Sequence, residues 1–292
     1  MPEYTSSRVE YQPINERPAI KLPGEARMVI WPVVNVEVWD FNAPLPRTLL
    51  PYPQGIPVVP DVANYSWFEY GLRVGIWRIK DVLDELGIRA TASINGVLCE
   101  THPKMVGKFV ESKWELLGHN YLQQVMSKEP DERKSIRMTR ELLEKASNKP
   151  MRGWMGPGLS ETEYTLDILA EEGIEYVADW VNDDLPYKLN TKSGRLYALP
   201  YTLELNDIVL HLIQQRPSHE LFERARDQFD TLYAESIVLP KIMCISVHPY
   251  VSGVAHRIKY FRQVFEYAKQ HQGVIFMTGE EILDWYLQVS GE

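Results

Sequence analysis

Short apolar runs alternate with amphipathic helical patterns along the chain from Met28 onward. The most apolar runs, Met28–Trp39 and Lys241–His248, are rich in valine and isoleucine, which is typical of strands buried on both faces. The pattern at Glu69–Leu86 has helical spacing and ends at a glycine, and Ser66 with Glu69 has the spacing of a capping box at its start. The alternation predicts parallel strands, each followed by a helix.

About seven such strand-then-helix units follow one another without a change in composition. Further strands are predicted at Arg89–Ile94, Trp114–Gly118, Arg152–Trp154, Tyr176–Trp180, Leu196–Tyr201 and Val274–Met277. Further helices are predicted at His102–Ser112, Asp131–Ser147, Ser160–Glu172, Ser218–Ser236, Ala255–Gln270 and Thr278–Val289. The chain is therefore expected to form a single-domain α/β fold, a distorted (β/α) barrel of about seven parallel strands.

Two segments have little periodicity. Residues 1–26 are charged throughout and are expected to be extended, and residues 43–60 contain six prolines. Proline lacks a backbone donor, so neither a helix nor a central strand is expected in the second segment. A long loop in a compact domain is often a lid or a pocket wall.

The composition removes several functional classes. The net charge of −9 leaves no basic surplus to neutralise phosphates, which argues against a nucleic-acid partner. Cys99 and Cys244 alone cannot build a disulfide framework. The N-terminal residues lack the apolar core of a signal peptide, and no run approaches the ~20 apolar residues needed to span a bilayer. We expect a cytoplasmic protein with no membrane partner.

Five polar residues fall in or directly after predicted strands: Glu37, His119, Arg152, Asp179 and His248. Active sites of parallel α/β proteins form at the carboxyl ends of the strands. One such residue alone is most simply a cap or a solvated loop residue. Five at one edge of a barrel indicate a catalytic site.

Four aromatic residues near the same strand ends could enclose a flat ring: Trp39, Tyr121, Trp154 and Trp180. The alternative is that two of them are ordinary core residues. Asp183, further along the chain, is expected to lie in a solvated turn.

At these positions the sequence resembles the polysaccharide deacetylase (NodB-homology) superfamily, with that family's motifs in order over nearly the whole chain. The matching segments are Asn35–Val38 for the aspartate-pair motif, His119–Gln123 for the His-x-x-x-His motif, Arg152–Pro157 for the arginine-plus-proline motif, Asp179–Trp180 for the Asp-Trp motif and Ser246–His248 for the Leu-x-His motif.

A closer resemblance is to a branch of cofactor-independent allantoinases, to which bacterial cyclic imide hydrolases are also similar. The segments that resemble this branch are Glu69–Arg78, Asp183–Tyr187, Pro200–Asp207, Phe229–Glu235 and Phe265–Lys269. The resemblance implies a homo-oligomer that uses no cofactor.

The departures from the wider family concern its metal site. A typical member of the family that this sequence resembles binds a divalent metal through the second aspartate of the first motif and both histidines of the second motif. Those positions here hold Val38, His119 and Gln123. A catalytic zinc site uses about three protein ligands, so no metal is expected. Gln123 is then expected to contact substrate.

The resemblance makes Glu37 the general base and His248 the general acid. On an apolar strand the pKa of Glu37 is expected to rise. His119 would orient a water or donate to an oxyanion, and Arg152 and Asp179 would line the pocket or orient a histidine. The implied activity is hydrolysis of a C–N bond in a small cyclic amide, an imide such as succinimide or a ureide such as allantoin. Two alternatives stay open, a glycan N-deacetylase and a non-catalytic binding relative.

Overall fold

A computed structural model describes residues 5–291. Within that range nine strands form one sheet. The strands are β1 Met28–Val36, β2 Thr91–Ile94, β3 Glu115–Gly118, β4 Gly153–Trp154, β5 Tyr176–Val177, β6 Tyr187–Leu189, β7 Leu196–Ala198, β8 Lys241–Val247 and β9 Val274–Phe276.

The strand order is β6-β7-β5-β4-β3-β2-β1-β8, and β9 pairs with the start of β1. Every pairing is parallel except that of β6 with β7, which is a short hairpin. β1 is paired on both sides, with seven of its residues opposite β8 and four opposite β2. This sheet, curled into a partial barrel, confirms the predicted α/β barrel. The sequence prediction omitted the antiparallel strand β6.

Most of the helices pack on the outer face of the sheet. They are α1 Val62–Tyr70, α2 Ile76–Leu86, α3 Leu98–Thr101, α4 Pro103–Glu111, α5 Glu132–Ser147, α6 Thr165–Glu171, α7 Glu220–Glu235, α8 Pro249–Ser252, α9 Ile258–Lys269 and α10 Gly279–Ser290, with π-helical turns at Gly71–Gly75 and Ile208–Ile213. None of the helices within residues 5–291 is long and apolar enough to cross a membrane.

The first long helical region begins earlier than the sequence predicted. Asp61, whose side chain accepts a hydrogen bond from the Asn64 amide, caps α1, whereas the Ser66 hydroxyl bonds to the Ala63 carbonyl inside the helix. The predicted capping box at Ser66 is therefore wrong. A capping box is present at the start of the last helix, formed by Thr278 and Glu281.

The two faces of β1 serve two different cores, as the period-2 alternation of a strand requires. Met28, Ile30 and Val34 pack outward against the helices, while Val29 and Trp31 point into the barrel. The inner core continues onto α10, which packs against the same cluster through Ile282, Leu283 and Trp285.

Two N-terminal arginines attach the first residues to the barrel. Arg8 pairs with the buried Asp167, and Arg17 forms a bidentate pair with Asp183. Asp183 is therefore a structural ion-pair residue, and the solvated turn predicted for it is wrong. Residues 43–60 contain only a short 3-10 turn, Pro53–Gly55, as their proline content predicted.

A buried carboxyl group, Glu115, lies inside the barrel on β3. It accepts hydrogen bonds from the Tyr176 hydroxyl at 2.5 Å and from the Thr91 hydroxyl at 2.7 Å. Burial raises the pKa of Glu115 to about 7, although both hydrogen bonds act in the opposite direction. The folded state therefore holds this proton at pH values where the unfolded chain has lost it.

Glu115→Gln should gain stability relative to the parent protein as the pH rises. Below the unfolded pKa of 4.5 the carboxyl is protonated in both states and contributes no penalty. Between pH 5 and pH 8 the penalty grows to about 3 kcal/mol. Urea unfolding at both pH values measures the difference. Glu172→Gln is the control, because arginine pairing lowers the pKa of Glu172 to about 2 and its effect should not change over this range.

Candidate active site

Three predicted residues meet at the carboxyl ends of three strands of the sheet. Glu37 directly follows β1, His119 directly follows β3, and His248 directly follows β8. The Nε2 atoms of both imidazoles lie 3.5 Å from the same oxygen, Oε1 of Glu37. All three side chains are buried, with between 2% and 7% of each residue exposed. The structure thus places a carboxylate between two histidines.

Two further donors hold the Glu37 carboxylate. The Gln123 side-chain amide donates to Oε1 at 2.9 Å, and the Tyr250 hydroxyl donates to Oε2 at 3.0 Å. A carboxylate that accepts several hydrogen bonds is fixed in orientation and stabilised in its charged form. Glu37 is therefore preorganised as an anion.

The position of Tyr250 depends on close packing of α8 against the first π-helical turn. A Cβ atom on Gly75 would lie 2.0 Å from the Pro249 carbonyl oxygen, and one on Gly71 would lie 2.7 Å from the Tyr250 nitrogen. Only glycine permits backbones to approach so closely. These two glycines belong to the Glu69–Arg78 segment on which the family resemblance partly rests, which gives that segment a structural role beside the site.

His248 is held by an aspartate that the sequence analysis did not assign. Nδ1 of His248 lies 2.7 Å from Oδ1 of Asp207, and the His248 backbone amide donates to Oδ2 at 2.8 Å. The Ser252 hydroxyl also donates to Oδ2, at 2.6 Å. Because the carboxylate accepts from Nδ1, this ring nitrogen carries a proton, and Nε2 is the atom that exchanges protons with the site.

The charges at the site reinforce one another. Burial raises the pKa of Glu37, but the positive charge of His248 and the polar contacts with both imidazoles outweigh it and hold the pKa well below its ordinary value. Burial lowers the pKa of His248, but the charges of Glu37 and Asp207 raise it to about 9. The expected rise in the pKa of Glu37 is thus wrong, because two histidines face it. At neutral pH the pair is a carboxylate and an imidazolium.

His119 presents an unused nitrogen to the same space. Its Nδ1 lies 2.6 Å from the Met155 carbonyl oxygen, which can only accept, so Nδ1 carries a proton. Its Nε2 is buried and has no hydrogen-bond partner among residues 5–291. Nε2 faces Oε1 of Glu37 at 3.5 Å, as a donor when it carries a proton and as an acceptor when the ring is neutral. With the ring neutral, a water that lies beside the two atoms and donates one proton to each would satisfy both.

The residues at the family's metal position do not fit a metal. Val38 offers no side-chain donor atom. The Gln123 amide oxygen accepts from Asn95 Nδ2 at 3.1 Å, so Gln123 presents its N–H groups, which cannot ligate a cation, to Glu37. No cluster of three or more His, Cys, Asp or Glu side chains within residues 5–291 has the arrangement of a metal site.

Asp179 and Trp180 lie beside the site rather than against Glu37. Oδ1 of Asp179 accepts from the Gly156 amide at 2.8 Å, one residue beyond the Met155 carbonyl that holds His119. Burial and the neighbouring Glu161 raise the pKa of Asp179 well above its ordinary value. Trp180 donates to Glu161 at 3.0 Å, and both line a shallow surface pocket. Asp179 therefore supports the loop that holds His119.

Arg152 is not in the site. It precedes β4 and pairs with Glu175, which precedes β5, and with Asp284 of α10. The carboxyl ends of parallel strands lie at the opposite edge, so the predicted role of Arg152 in the pocket is wrong. The short run that contains it suggested a strand end, whereas the arginine stands before the strand.

The four aromatic residues do not enclose one pocket around Glu37. Trp39 packs on Phe68 with ring centroids 5.1 Å apart, and Phe68 packs on Tyr250 at 4.8 Å, which forms an aromatic wall beside Glu37. Trp154 is fully buried in the outer core, so its predicted pocket role is wrong. The Tyr121 hydroxyl bonds to Glu100 at 2.9 Å on an exposed edge and does not contact Glu37.

Sequence reasoning missed Asp207, Tyr250 and Asn95. Tyr250 stands two residues after His248, so proximity to a strand end could have indicated it. Asn95 follows β2 directly and satisfies the same criterion. Asp207 precedes a π-helical turn that has no strand signal, and only the fold brings it against His248.

Comparisons with known proteins agree with this fold. Residues 60–177 match the family model described as polysaccharide deacetylase. A Schizosaccharomyces pombe protein assigned as a polysaccharide deacetylase is 29% identical over 253 residues, 80% of this chain and 78% of that protein. The Helicobacter pylori peptidoglycan deacetylase is 22% identical over 250 residues, 74% of this chain and 84% of that enzyme.

Solved structures share this fold. The crystal structure of PuuE allantoinase has a TM-score of 0.85 and 25% identity, and the match covers 97% of this chain and all of that chain. A Pseudomonas aeruginosa structure assigned as a polysaccharide deacetylase has a TM-score of 0.81 at 24% identity, covering 94% and 95% of the two chains. The chain is therefore similar in fold to PuuE allantoinase and to polysaccharide deacetylases, and part of it matches the polysaccharide deacetylase family model.

Proposed function

We propose that this protein hydrolyses a C–N bond in a small cyclic amide, an imide or a ureide, without a metal ion. The observation that carries the proposal is the Glu37 carboxylate held between two imidazoles, next to a glutamine amide where the family's metal ligand would stand. The likeness to an allantoinase supports the cyclic amide class.

The nucleophile is a water that lies beside Glu37 Oε1 and His119 Nε2. With His119 neutral both atoms accept hydrogen bonds, so together they direct both water protons away from the attacked carbonyl carbon. Glu37 takes one proton as the water oxygen bonds to that carbon, and the carbonyl oxygen becomes an oxyanion. General base catalysis of this kind contributes roughly 10²- to 10⁴-fold to a rate.

The second step breaks the C–N bond. His248, protonated at neutral pH, donates its Nε2 proton to the ring nitrogen as the bond cleaves, and a carboxylic acid and a free amide or urea nitrogen result. Glu37 then carries the proton from water and His248 is neutral. Because Oε1 and Nε2 are 3.5 Å apart, the proton can pass back from Glu37 to His248 and restore the starting state.

An activated ring suits this site. Without a Lewis acid, the carbonyl must itself be electrophilic and the nitrogen must leave readily. The second acyl group of an imide or a ureide provides both properties, whereas a plain acetamide provides neither. The Arg152–Pro157 segment and the 43–60 loop differ from the allantoinase pattern, which favours an imide over allantoin itself.

The test is a hydrolysis screen of succinimide, other cyclic imides, hydantoins, dihydropyrimidines and allantoin, with and without exhaustive chelation. We expect ring opening of at least one class, with the same kcat/KM after chelation and no gain from added zinc. Activity that a chelator abolishes and zinc restores would contradict the metal-free mechanism.

The other candidate is N-deacetylation of a glycan, which the descriptions of the two sequence relatives favour. It predicts acetate release from chitooligosaccharides in a coupled acetate assay. The unsuitable metal position makes us expect none. Acetate release without ring opening would replace the cyclic amide proposal.

A further inference from the structure

Asn95 joins three parts of the site through one buried amide. It directly follows β2 and is fully buried. Its Oδ1 accepts from the Val38 backbone amide at 2.9 Å. Its Nδ2 donates to the His119 carbonyl oxygen at 2.5 Å and to Gln123 Oε1 at 3.1 Å.

These contacts leave Asn95 only one orientation. A backbone N–H can only donate and a backbone C=O can only accept, so Oδ1 must face Val38 and Nδ2 must face His119. The same orientation directs the second N–H of Asn95 towards Gln123. The fixed backbone thus determines which end of the Gln123 side chain Asn95 contacts.

Gln123 passes this orientation on to Glu37. Its Oε1 accepts from Asn95, so its Nε2 is the end that reaches Glu37 Oε1 at 2.9 Å. With the amide reversed, a carbonyl oxygen would lie against the carboxylate, and two acceptors would oppose each other in a buried site.

We propose that Asn95 is a positioning residue that makes Gln123 present an N–H group, and not its carbonyl oxygen, to the catalytic base. The inference rests on the proposed function in one respect, the assignment of Glu37 as that base. Asn95 acts through Gln123. The amide of Asn95 bonds to the backbones of Val38 and His119 and to the side chain of Gln123, and the Gln123 side chain is the one that donates to Glu37.

Asn95→Asp replaces the N–H group that faces Gln123 with an oxygen and hardly changes the shape of the side chain. The variant keeps an acceptor for the Val38 amide but places a carboxylate oxygen against Gln123 Oε1. The Gln123 amide should then rotate and turn its oxygen towards Glu37. Asn120→Asp is the matched control, because Asn120 is also fully buried and bonds to Glu129 and Gln124 without contacting Glu37.

Side-chain amide NMR of glutamine-labelled protein tests the orientation without any substrate. The Gln123 signals are assigned from their loss in Gln123→Leu. In the parent protein, Glu37→Gln should move the hydrogen-bonded Gln123 proton upfield, because its acceptor loses its charge. In the Asn95→Asp background that displacement should be less than half as large, and in the Asn120→Asp background it should persist. Equal displacements in all three would overturn the proposal.

A double-mutant cycle of Asn95→Asp and Gln123→Leu, measured as kcat/KM on the ring substrate from the screen, gives the second readout. Asn95→Asp should lower kcat/KM about 10- to 100-fold, the scale of one hydrogen bond to a charged group. In the Gln123→Leu background the same change should cost little more, whereas effects that multiply would show that Asn95 does not act through Gln123. The NMR result needs no turnover. A failed substrate screen would therefore contradict only the proposed function and would not affect the proposal that Asn95 orients Gln123.

Discussion

Glu37→Gln should lower kcat at least ~100-fold with little change in KM, because it removes the base while preserving the shape of the side chain. The variant keeps an acceptor for the Gln123 or Tyr250 donor but cannot take a proton from water. The loss should grow as the pH rises towards 9, because the Glu37 charge helps to raise the pKa of His248 and the variant lacks that charge. Initial rates on the ring substrate from the screen measure it.

The control for this change is Glu115→Gln, an equally conservative substitution of another buried carboxyl group inside the barrel. Glu115 bonds to Tyr176 and Thr91 and has no contact with Glu37. We expect its kcat to stay within about threefold of the parent value, the usual size of an effect away from the chemistry. Equal losses in the two variants would show that any change to the barrel interior damages the enzyme, and unchanged turnover in Glu37→Gln would remove it from the mechanism.

The barrel was predictable because each strand carries its own signal. Valine and isoleucine on both faces of Met28–Val36 indicate a strand buried on both sides, and glycines and prolines mark the loops. The π-helical turns and the hairpin strand β6 were not predicted, because their sequences have no period that separates them from neighbouring loops. The start of the first helix was wrong since Ser66 and Glu69 imitate a cap that Asp61 supplies.

The site was predictable only as far as strand ends allow. Glu37, His119 and His248 each follow a strand, and a parallel sheet brings such positions to one edge. The direction of the pKa shift of Glu37 was not predictable, because it depends on two histidines from other strands lying 3.5 Å away. Arg152 was predicted inside a strand that ends at Trp154, but the strand begins at Gly153. Arg152 therefore lies at the amino end of β4 and not at the edge of the sheet that carries the site.

Asp207→Asn should both lower activity and change its dependence on pH. Asp207 holds the proton on Nδ1 of His248, and an aspartate in this position can be worth up to ~10⁴-fold in kcat, because an asparagine can stabilise the wrong tautomer. The negative charge of Asp207 also helps to raise the pKa of His248 to about 9. We expect a loss of at least ~100-fold in kcat at pH 7.

The sign of the pH effect follows from the role of His248 as an acid. Activity requires its proton, so kcat/KM of the parent enzyme should fall as the pH rises through about 9. Without the Asp207 charge the imidazolium is less stable, and the alkaline limb should move to lower pH by about one unit or more.

Ser252→Ala is the matched control for the shift in the alkaline limb. It removes one hydrogen bond to Asp207 but leaves the carboxylate and its contact with Nδ1, so the alkaline limb should stay in place. A kcat/KM profile from pH 6 to pH 10 on the ring substrate compares the three proteins. If the limb stayed near pH 9 in Asp207→Asn, some other group would be the acid, and the proton that the leaving nitrogen needs could not come from His248.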